Sequence, residues 1–393
     1  MPLWRVITAL GISQIIGWGT TYYALGALSI DIAADRGWSK LLIFGAFSVA
    51  LLISGFISRA AGRAIDKYGG RRIMAMGSGL AAFGCLILSF ASQAWIYFAG
   101  WLVLGPAMRL ILYDAAFPSL AQVAREKSRR SISYLTLFGG LASTVFWPVS
   151  HYLSQAIGWQ NAFRVYAFLH LIVCLPLHLL VLDRSDEREA IAGQETPPLP
   201  TAPVLAGQDR NRAMIVFASV LALNGIVFSS ISAHVVPLFE GLGFTAAAAV
   251  TLAALIGPSQ VASRIGDILA GHHVKTMTLG LIAVGLLPAA LIIFAGGGFA
   301  LWAALVFAAL YGMSNGLMSI IKGIIPLSLF GRQGFGLVIG TLTTPQLILN
   351  AVAPTFFAFV LDQGGPRNGL LIAIIFAVLS FLAMIYLARK YPR

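Results

Sequence analysis

Gly62-Arg63-Ala64-Ile65-Asp66-Lys67-Tyr68-Gly69-Gly70-Arg71-Arg72 is the stretch on which the fold turns. It separates two apolar runs, 40–60 and 73–92. Each has the length, about 20 residues, that a helix needs to cross a hydrocarbon core about 30 Å thick. Gly69 and Gly70 permit a tight reversal between them. The clustered bases hold the reversal at an anionic leaflet on the cytoplasmic side. Gly62 allows two helices to approach closely. Asp66, at a helix end, is placed to accept hydrogen bonds from the N-terminus of a neighbouring helix. The stretch therefore predicts a membrane hairpin.

Ten further apolar runs of similar length lie outward from this hairpin: 6–28 before it, 95–119, 132–154 and 162–182 after it, and then 213–238, 246–269, 276–296, 299–326, 336–360 and 368–388. Apolar residues make up 59% of the 393 residues and charged residues 10%, where soluble domains carry about 25% charged residues. Such a chain needs lipid as its solvent. The apolar runs recur to the end of the sequence, so a signal peptide does not explain them. Cys85 and Cys174 both fall inside apolar runs and are expected to be small packing residues, since two cysteines build neither a disulfide framework nor a thiolate metal cluster.

The net charge of +12 would suggest nucleic acid in a soluble protein, but here position matters more than sum. With the N-terminus inside, the cytoplasmic segments collect 19 of the 26 lysines and arginines, including the bases of the 59–72 segment, Arg125 to Arg130, and Arg389, Lys390 and Arg393. The outside receives Arg36, Lys40, Arg164 and Arg367, while Arg109, Arg264 and Lys322 lie within spans. Both termini are thus expected in the cytoplasm. The stretch from Asp183 to Arg212, with Thr196-Pro197-Pro198-Leu199-Pro200, reads as a cytoplasmic linker, semi-extended at its prolines. The expected organisation is a six-helix bundle over 1–182, a linker over 183–212 and a second six-helix bundle over 213–393.

The Gly62 to Arg72 stretch resembles the loop signature of the major facilitator superfamily: a glycine, an acid–base pair, a glycine and then clustered bases, in a short loop after the second span. The resemblance covers the whole chain through its layout of six spans, linker and six spans. It implies an all-α integral membrane fold of twelve transmembrane helices in two pseudo-symmetric bundles. It also implies transport by alternating access, with Gly62, Asp66, Lys67, Gly69, Arg71 and Arg72 forming a gating loop that latches one state. The matching loop after the eighth span, Arg264 to His273, keeps little of the signature. Gly100 and Trp101 stand about where the family's helix-4 arginine would fall, and the fifth span lacks the glycine run of drug/proton antiporters. Tyr113-Asp114-Ala115-Ala116-Phe117, Ser143-Thr144-Val145-Phe146-Trp147-Pro148 and Tyr311-Gly312-Met313-Ser314-Asn315-Gly316 are similar to a proteobacterial branch that includes riboflavin importers and a copper importer.

Ionisable side chains in a bilayer cost about 2.5–3.5 kcal/mol on insertion scales, so they face a bundle interior or cavity. Arg109, at mid-depth in the fourth span, is the leading substrate contact, because a guanidinium can hold a carbonyl, carboxylate or phosphate in bidentate fashion. Tyr113 follows four residues on and shares its face on a continuous helix. Asp114 is the candidate to carry a coupling proton or to pair with a base on another helix. Further substrate-binding candidates are Gln14, Trp18 and Tyr22 on the first span, Trp147 and His151 on the fifth, Asn224 on the seventh, Gln260 on the eighth, Tyr311 and Asn315 on the tenth, and Gln346 and Asn350 on the eleventh. Together they predict a cavity lined by rings and amides with few charges. Arg264 and Asp267 read as a local pair at the cytoplasmic end of the eighth span.

No phosphate-cradling motif, acid pair or zinc-type histidine cluster points to an enzyme or an ATP-driven pump. No resident metal and no cofactor are expected. The Met, His and Cys spacing that copper(I) transport requires is not met within a span: His273 and Met277 fall in a loop, and Met313 and Met318 lie on different faces. The expectation is a monomeric secondary transporter in a bacterial inner membrane. Its partners are the lipid bilayer, a small-molecule substrate and either protons or a counter-substrate, and nucleic acid is not among them. A planar polar solute such as riboflavin is favoured. An exporter of organic anions or drugs, a copper importer and a non-transporting receptor are the alternatives.

Overall fold

The structure is a computed structural model that describes residues 2–182, 204–270 and 273–392. Among these residues it is built from helices: α1 (Leu3–Gly17), α2 (Ala24–Arg36), α3 (Lys40–Tyr68), α4 (Gly70–Ser89), α5 (Ala94–Ile111), α6 (Tyr113–Ala124), α7 (Ser128–Gly140), α8 (Ala142–Ile157), α9 (Trp159–Leu169), α10 (Leu175–Val181), α11 (Gly207–Gly241), α12 (Ala246–Ala270), α13 (Thr276–Gly296), α14 (Leu301–Phe330) and α15 (Phe335–Lys390). Every predicted span falls on helix. The first is divided by a π turn at Trp18–Tyr22 and runs on to Arg36, the fourth by a break at Leu112, and the sixth by a second π turn at His170–Cys174. α15 carries the last two spans, hinged at Gly365, where φ is 73°. Among the described residues nine continuous helical runs are long and apolar enough to cross a membrane, and two of them, Ala94–Ile157 and Phe335–Lys390, each hold two predicted spans.

The proline run 196–200 and the rest of the expected linker up to Pro203 lie outside the described residues, as do Gly271 and His272 of the loop after the eighth span. From Gly207 onward the expected linker is helix, not extended chain. Asp209 in the first turn complements the helix dipole. Its carboxylate also accepts from Tyr391 Oη at 2.8 Å, and Lys390 Nζ lies 3.4 Å away.

The described chain forms two compact units, Met1–Ala202 with Arg332–Thr344, and Pro203–Gly331 with Pro345–Arg393. In both, polarity is reversed relative to a soluble protein. Phe56, Leu180, Ile215 and Phe359 are exposed, while Gln14, Thr20, Ser58, His170, His178 and Asn224 are buried. Lipid tails are as apolar as leucine, so helix association relies on close packing and interhelical hydrogen bonds. In the first unit Ser54 Oγ on α3 donates to the Gly105 carbonyl of α5 at 2.6 Å. In the second, Ser314 Oγ on α14 donates to the Ala283 carbonyl of α13 at 2.6 Å. The second unit also packs Phe239, Phe294, Phe307 and Tyr311 into one aromatic core, with the Phe294 and Phe307 rings stacked at 5.2 Å. Cys85 and Cys174 are buried and free.

Candidate functional site

The basic loop is built around Asp66, in the last turn of α3. Its Oδ1 accepts from Gly336 N at 2.8 Å and its Oδ2 from Leu337 N at 2.7 Å. These are among the first N–H groups of α15, which have no carbonyl partner within their own helix. A carboxylate both satisfies them and complements the positive end of the helix dipole. The contact needs glycine on both sides: a Cβ on Gly62 would run into the Gly336 carbonyl oxygen, and one on Gly336 into the Gly62 oxygen. One turn further along, Ser58 Oγ and Thr343 Oγ1 share a hydrogen bond of 2.9 Å. Gly69 makes the reversal with φ of 81° and ψ of 152°. Arg71 Nε donates at 2.7 Å to the Leu179 carbonyl in the last turn of α10, another orphan helix end. Lys67 lies over the Tyr68 ring at 5.0 Å, and Arg72 is exposed.

The fourth span does not present Arg109 and Tyr113 on one continuous helical face. Leu112 is extended, with φ of −82° and ψ of −168°, and splits the span into α5 and α6. Two prolines flank the break. Pro118 lacks an N–H, so the Asp114 carbonyl loses its helical donor. Across the break Arg109 Nη1 pairs with Asp114 Oδ2, both side chains being nearly buried at 5% and 6% exposure. The guanidinium that sequence assigns to substrate is thus charge-balanced within its own span. Its Nε has no hydrogen-bond partner among the described residues.

A chain of aromatic rings reaches Tyr113, the residue before Asp114. Trp18 lies 5.2 Å from Tyr113 and 5.3 Å from Tyr22, Tyr22 lies 5.3 Å from Phe47, and Phe47 lies 5.1 Å from Trp101. Tyr113 stacks on Phe117 at 4.9 Å and donates to the Thr136 carbonyl at 3.1 Å. Trp18 and Tyr22 are half-buried, and the Trp18 Nε1 donor has no partner among the described residues. Gln14 is wholly buried and spends its amide on the Ile111 carbonyl, so it braces the cluster and does not line it. Trp147 and His151 on α8 are exposed.

The second unit holds the other predicted residues. Tyr311 is wholly buried in the aromatic core, its hydroxyl bonded to Ser232 Oγ at 3.0 Å and the Phe228 carbonyl at 3.2 Å. Asn224 is also wholly buried and reaches Ser380 Oγ at 3.4 Å. These two present no polar surface to a solute in this conformation. Gln260, Asn315, Gln346 and Asn350 are half-buried. Gln346 Oε1 has no partner among the described residues, and the Asn350 amide nitrogen donates to the Gln346 and Gly225 carbonyls at 3.0 Å each.

Arg264 and Asp267 are both buried, at 5% and 7% exposure. Arg264 Nε donates to the Gly316 carbonyl on α14 at 3.4 Å. Its Nη1 is buried and has no hydrogen-bond partner among the described residues. The signal for it in the sequence was an arginine four residues after Gln260 inside a span. Among the described residues no three His, Cys, Asp or Glu side chains converge as a metal site would require.

Comparison with known proteins places this architecture. The family model described as Major Facilitator Superfamily matches residues 10–331. MFS-type transporter 1 of Ophiocordyceps sp. (strain BCC 1869) is 25% identical over 85% of this chain and 73% of its own length. Monocarboxylate transporter 11 of Mus musculus is 26% identical over 85% of this chain and 74% of its own. Among solved structures, the human organic anion transporter MFSD10 (TETRAN) superposes with a TM-score of 0.72 at 16% identity, covering 98% of this chain and 100% of that one. The transporter FucP superposes with a TM-score of 0.70 at 13% identity, covering 97% and 98%.

Proposed function

The chain belongs to the major facilitator superfamily, and from that premise we propose that it is a secondary transporter of a small organic anion, working by alternating access. The observation that carries the anion is Arg264. A buried guanidinium N–H left without a hydrogen-bond acceptor is costly, because the donor has given up water and found no partner. An anionic solute that pairs with Nη1 removes that penalty, which makes the bound state favourable. The name of the mouse monocarboxylate transporter, a protein 26% identical to this one, favours a carboxylate.

The Arg109–Asp114 pair supplies the coupling. A proton on Asp114 weakens its hold on Arg109 and leaves the guanidinium available, so proton and anion loading are linked. Asp66, by capping α15, biases one gating state. The asymmetry of lysine and arginine supports both termini and the linker lying in the cytoplasm, and our reading is of a monomer in a bacterial inner membrane.

A planar polar solute of the riboflavin type is the second reading, favoured by the rings of Trp18, Tyr22, Phe47, Trp101 and Tyr113. The test is uptake by proteoliposomes of benzoate, a flat monocarboxylate, against riboflavin, together with growth rescue of a riboflavin auxotroph. Benzoate flux that falls ten- to a hundredfold in Arg264→Gln, the worth of a charge-assisted hydrogen bond of about 1.5–3 kcal/mol, is the expected result. Riboflavin uptake with no benzoate flux would replace the anion by the flavin.

A further inference from the structure

Two of the helix irregularities in the first unit are joined by one buried hydrogen bond. The π turn Trp18–Tyr22 of the first span and the π turn His170–Cys174 of the sixth meet where Thr20 Oγ1 lies 2.8 Å from His170 Nε2. π turns make up well under one residue in a hundred and appear as single turns at functional sites. Here one histidine opens one of them and touches the other. Both side chains are wholly buried.

The direction of the bond follows from proton counting. Thr20 Oγ1 donates its single proton to the Ile16 carbonyl at 2.7 Å. Toward the imidazole it can then act only as acceptor, so His170 donates from Nε2–H. The remaining ring nitrogen, Nδ1, is a bare acceptor, and it has no partner among the described residues. The opposite tautomer would bury an Nδ1–H donor unpaired and take the threonine proton from Ile16, a worse balance on both counts. His178, eight residues on, differs: its two nitrogens bond Ser78 Oγ at 2.9 Å and Ser13 Oγ at 3.0 Å.

The π turn matters to the rings it carries. Tyr23 N donates to the Trp18 carbonyl five residues back at 2.9 Å. The Thr20 and Thr21 hydroxyls take up the Ile16 and Gly17 carbonyls at 2.7 and 2.6 Å. The wider turn brings Tyr23 as well as Tyr22 beside Trp18, with ring separations of 6.2 and 5.3 Å, and Trp18 against Tyr113 at 5.2 Å. In a regular helix residues i and i+5 do not share a face.

We propose that His170 is a positioning residue for solute recognition: its Nε2–H holds Thr20, fixes the π turn of the first span and thereby sets Trp18 against Tyr22 and Tyr113. The recognition part rests on the reading of that cluster as a solute site, and the positioning part does not. The test uses full-length protein labelled with 5-fluorotryptophan, the Trp18 fluorine resonance being assigned by its loss in Trp18→Phe. His170→Phe removes the donor, Thr20→Val removes the acceptor at nearly constant shape, and His170→Gln keeps a donor near the Nε2 position. The Trp18 resonance is expected to shift in His170→Phe and in Thr20→Val, to stay close to wild type in His170→Gln, and the exposed Trp95 resonance to stay fixed in all three. A Trp18 resonance unmoved in the folded Thr20→Val protein, or moved equally by His170→Gln and His170→Phe, would overturn the positioning role. In proteoliposomes the KM for benzoate is expected to rise about tenfold in Thr20→Val with Vmax little changed, and to recover in His170→Gln. A shifted resonance with an unchanged KM overturns the recognition role alone. Absence of benzoate flux in the wild type counts against the anion reading and leaves the resonance to decide the placement of Trp18.

Discussion

Gln14 Nε2 donates to the Ile111 carbonyl oxygen at 2.7 Å, across 97 residues of sequence. In a continuous helix that oxygen would accept from Ala115 N. Here Ala115 N turns instead to the Leu112 carbonyl at 3.0 Å, because the chain is extended at Leu112. The glutamine therefore fills the vacancy that the break creates. The neighbouring Gly17 packs on the Leu112 side chain, so the break in the fourth span sits directly against the approach to the π turn in the first.

Gln14→Leu should therefore destabilise the protein, since Gln14 is wholly buried against the break. A buried carbonyl left unpaired costs about 1–3 kcal/mol. For a chain of this size that lowers Tm by a few degrees, roughly 2–4 °C per kcal/mol. Thermal unfolding in detergent measures it. An unchanged Tm would mean that the Ile111 carbonyl finds another donor.

Asp66→Asn keeps one acceptor oxygen and loses the charge that faces the α15 N-terminus. Transport should slow more than affinity weakens, so Vmax for benzoate falls while KM moves little. Amide exchange at Gly336 and Leu337 should quicken in parallel, since these are the groups Asp66 satisfies. Wild-type Vmax in the variant would remove the gating role of this carboxylate.

Gly62→Ala should reproduce the Asp66→Asn behaviour through a different cause. The added methyl meets a backbone oxygen of Gly336, which cannot swing aside as a side chain would. α15 is pushed away and the Asp66 bonds are lost with it. The double variant should then be little worse than either single one, a non-additivity expected of residues that share one contact. Additive losses would show two independent effects.

Asp114→Asn should cost more in folded protein than the double variant Asp114→Asn with Arg109→Gln. The single change leaves the Arg109 guanidinium buried without its counter-charge, worth about 3–5 kcal/mol, and the double change removes both charges. Yield of monodisperse protein in detergent reads this. Whatever Asp114→Asn protein inserts should transport benzoate without response to an imposed pH gradient. Retained pH coupling would move the proton to another group.

Much of the fold was legible because the bilayer imposes a simple rule on sequence. Apolar runs of span length, a basic loop of the 62–72 type and biased lysines and arginines appear in one dimension, and each predicted span is helix. Asp66 was legible for the same reason: an acid at the end of a helix next to paired glycines needs a partner of known polarity. Its particular partners, Gly336 and Leu337, 270 residues away, were not.

The polar residues inside the spans were found as a set but not sorted. Periodicity puts Gln14 and Trp18 on one stripe of the first span and Tyr311 and Asn315 on one stripe of the tenth, yet Gln14 and Tyr311 are buried in packing while Trp18 and Asn315 keep part of their surface. Sorting them requires knowing which neighbouring helix covers each stripe, and that is a property of the packed bundle. The break at Leu112 was likewise hidden, since Pro106 and Pro118 are both tolerated inside membrane helices and neither sits at the break.

The sequence by itself determined the solvent, the number of spans, the family resemblance and the identity of the buried charges, because transfer into lipid penalises each residue one at a time. Tertiary structure alone decided which charges are balanced. Arg109 meets Asp114 because Leu112 breaks the helix between them, and the packing around Arg264 leaves its Nη1 without a hydrogen-bond partner among the described residues. Charge balance depends on distances of a few ångströms between side chains, and only the packed bundle sets them.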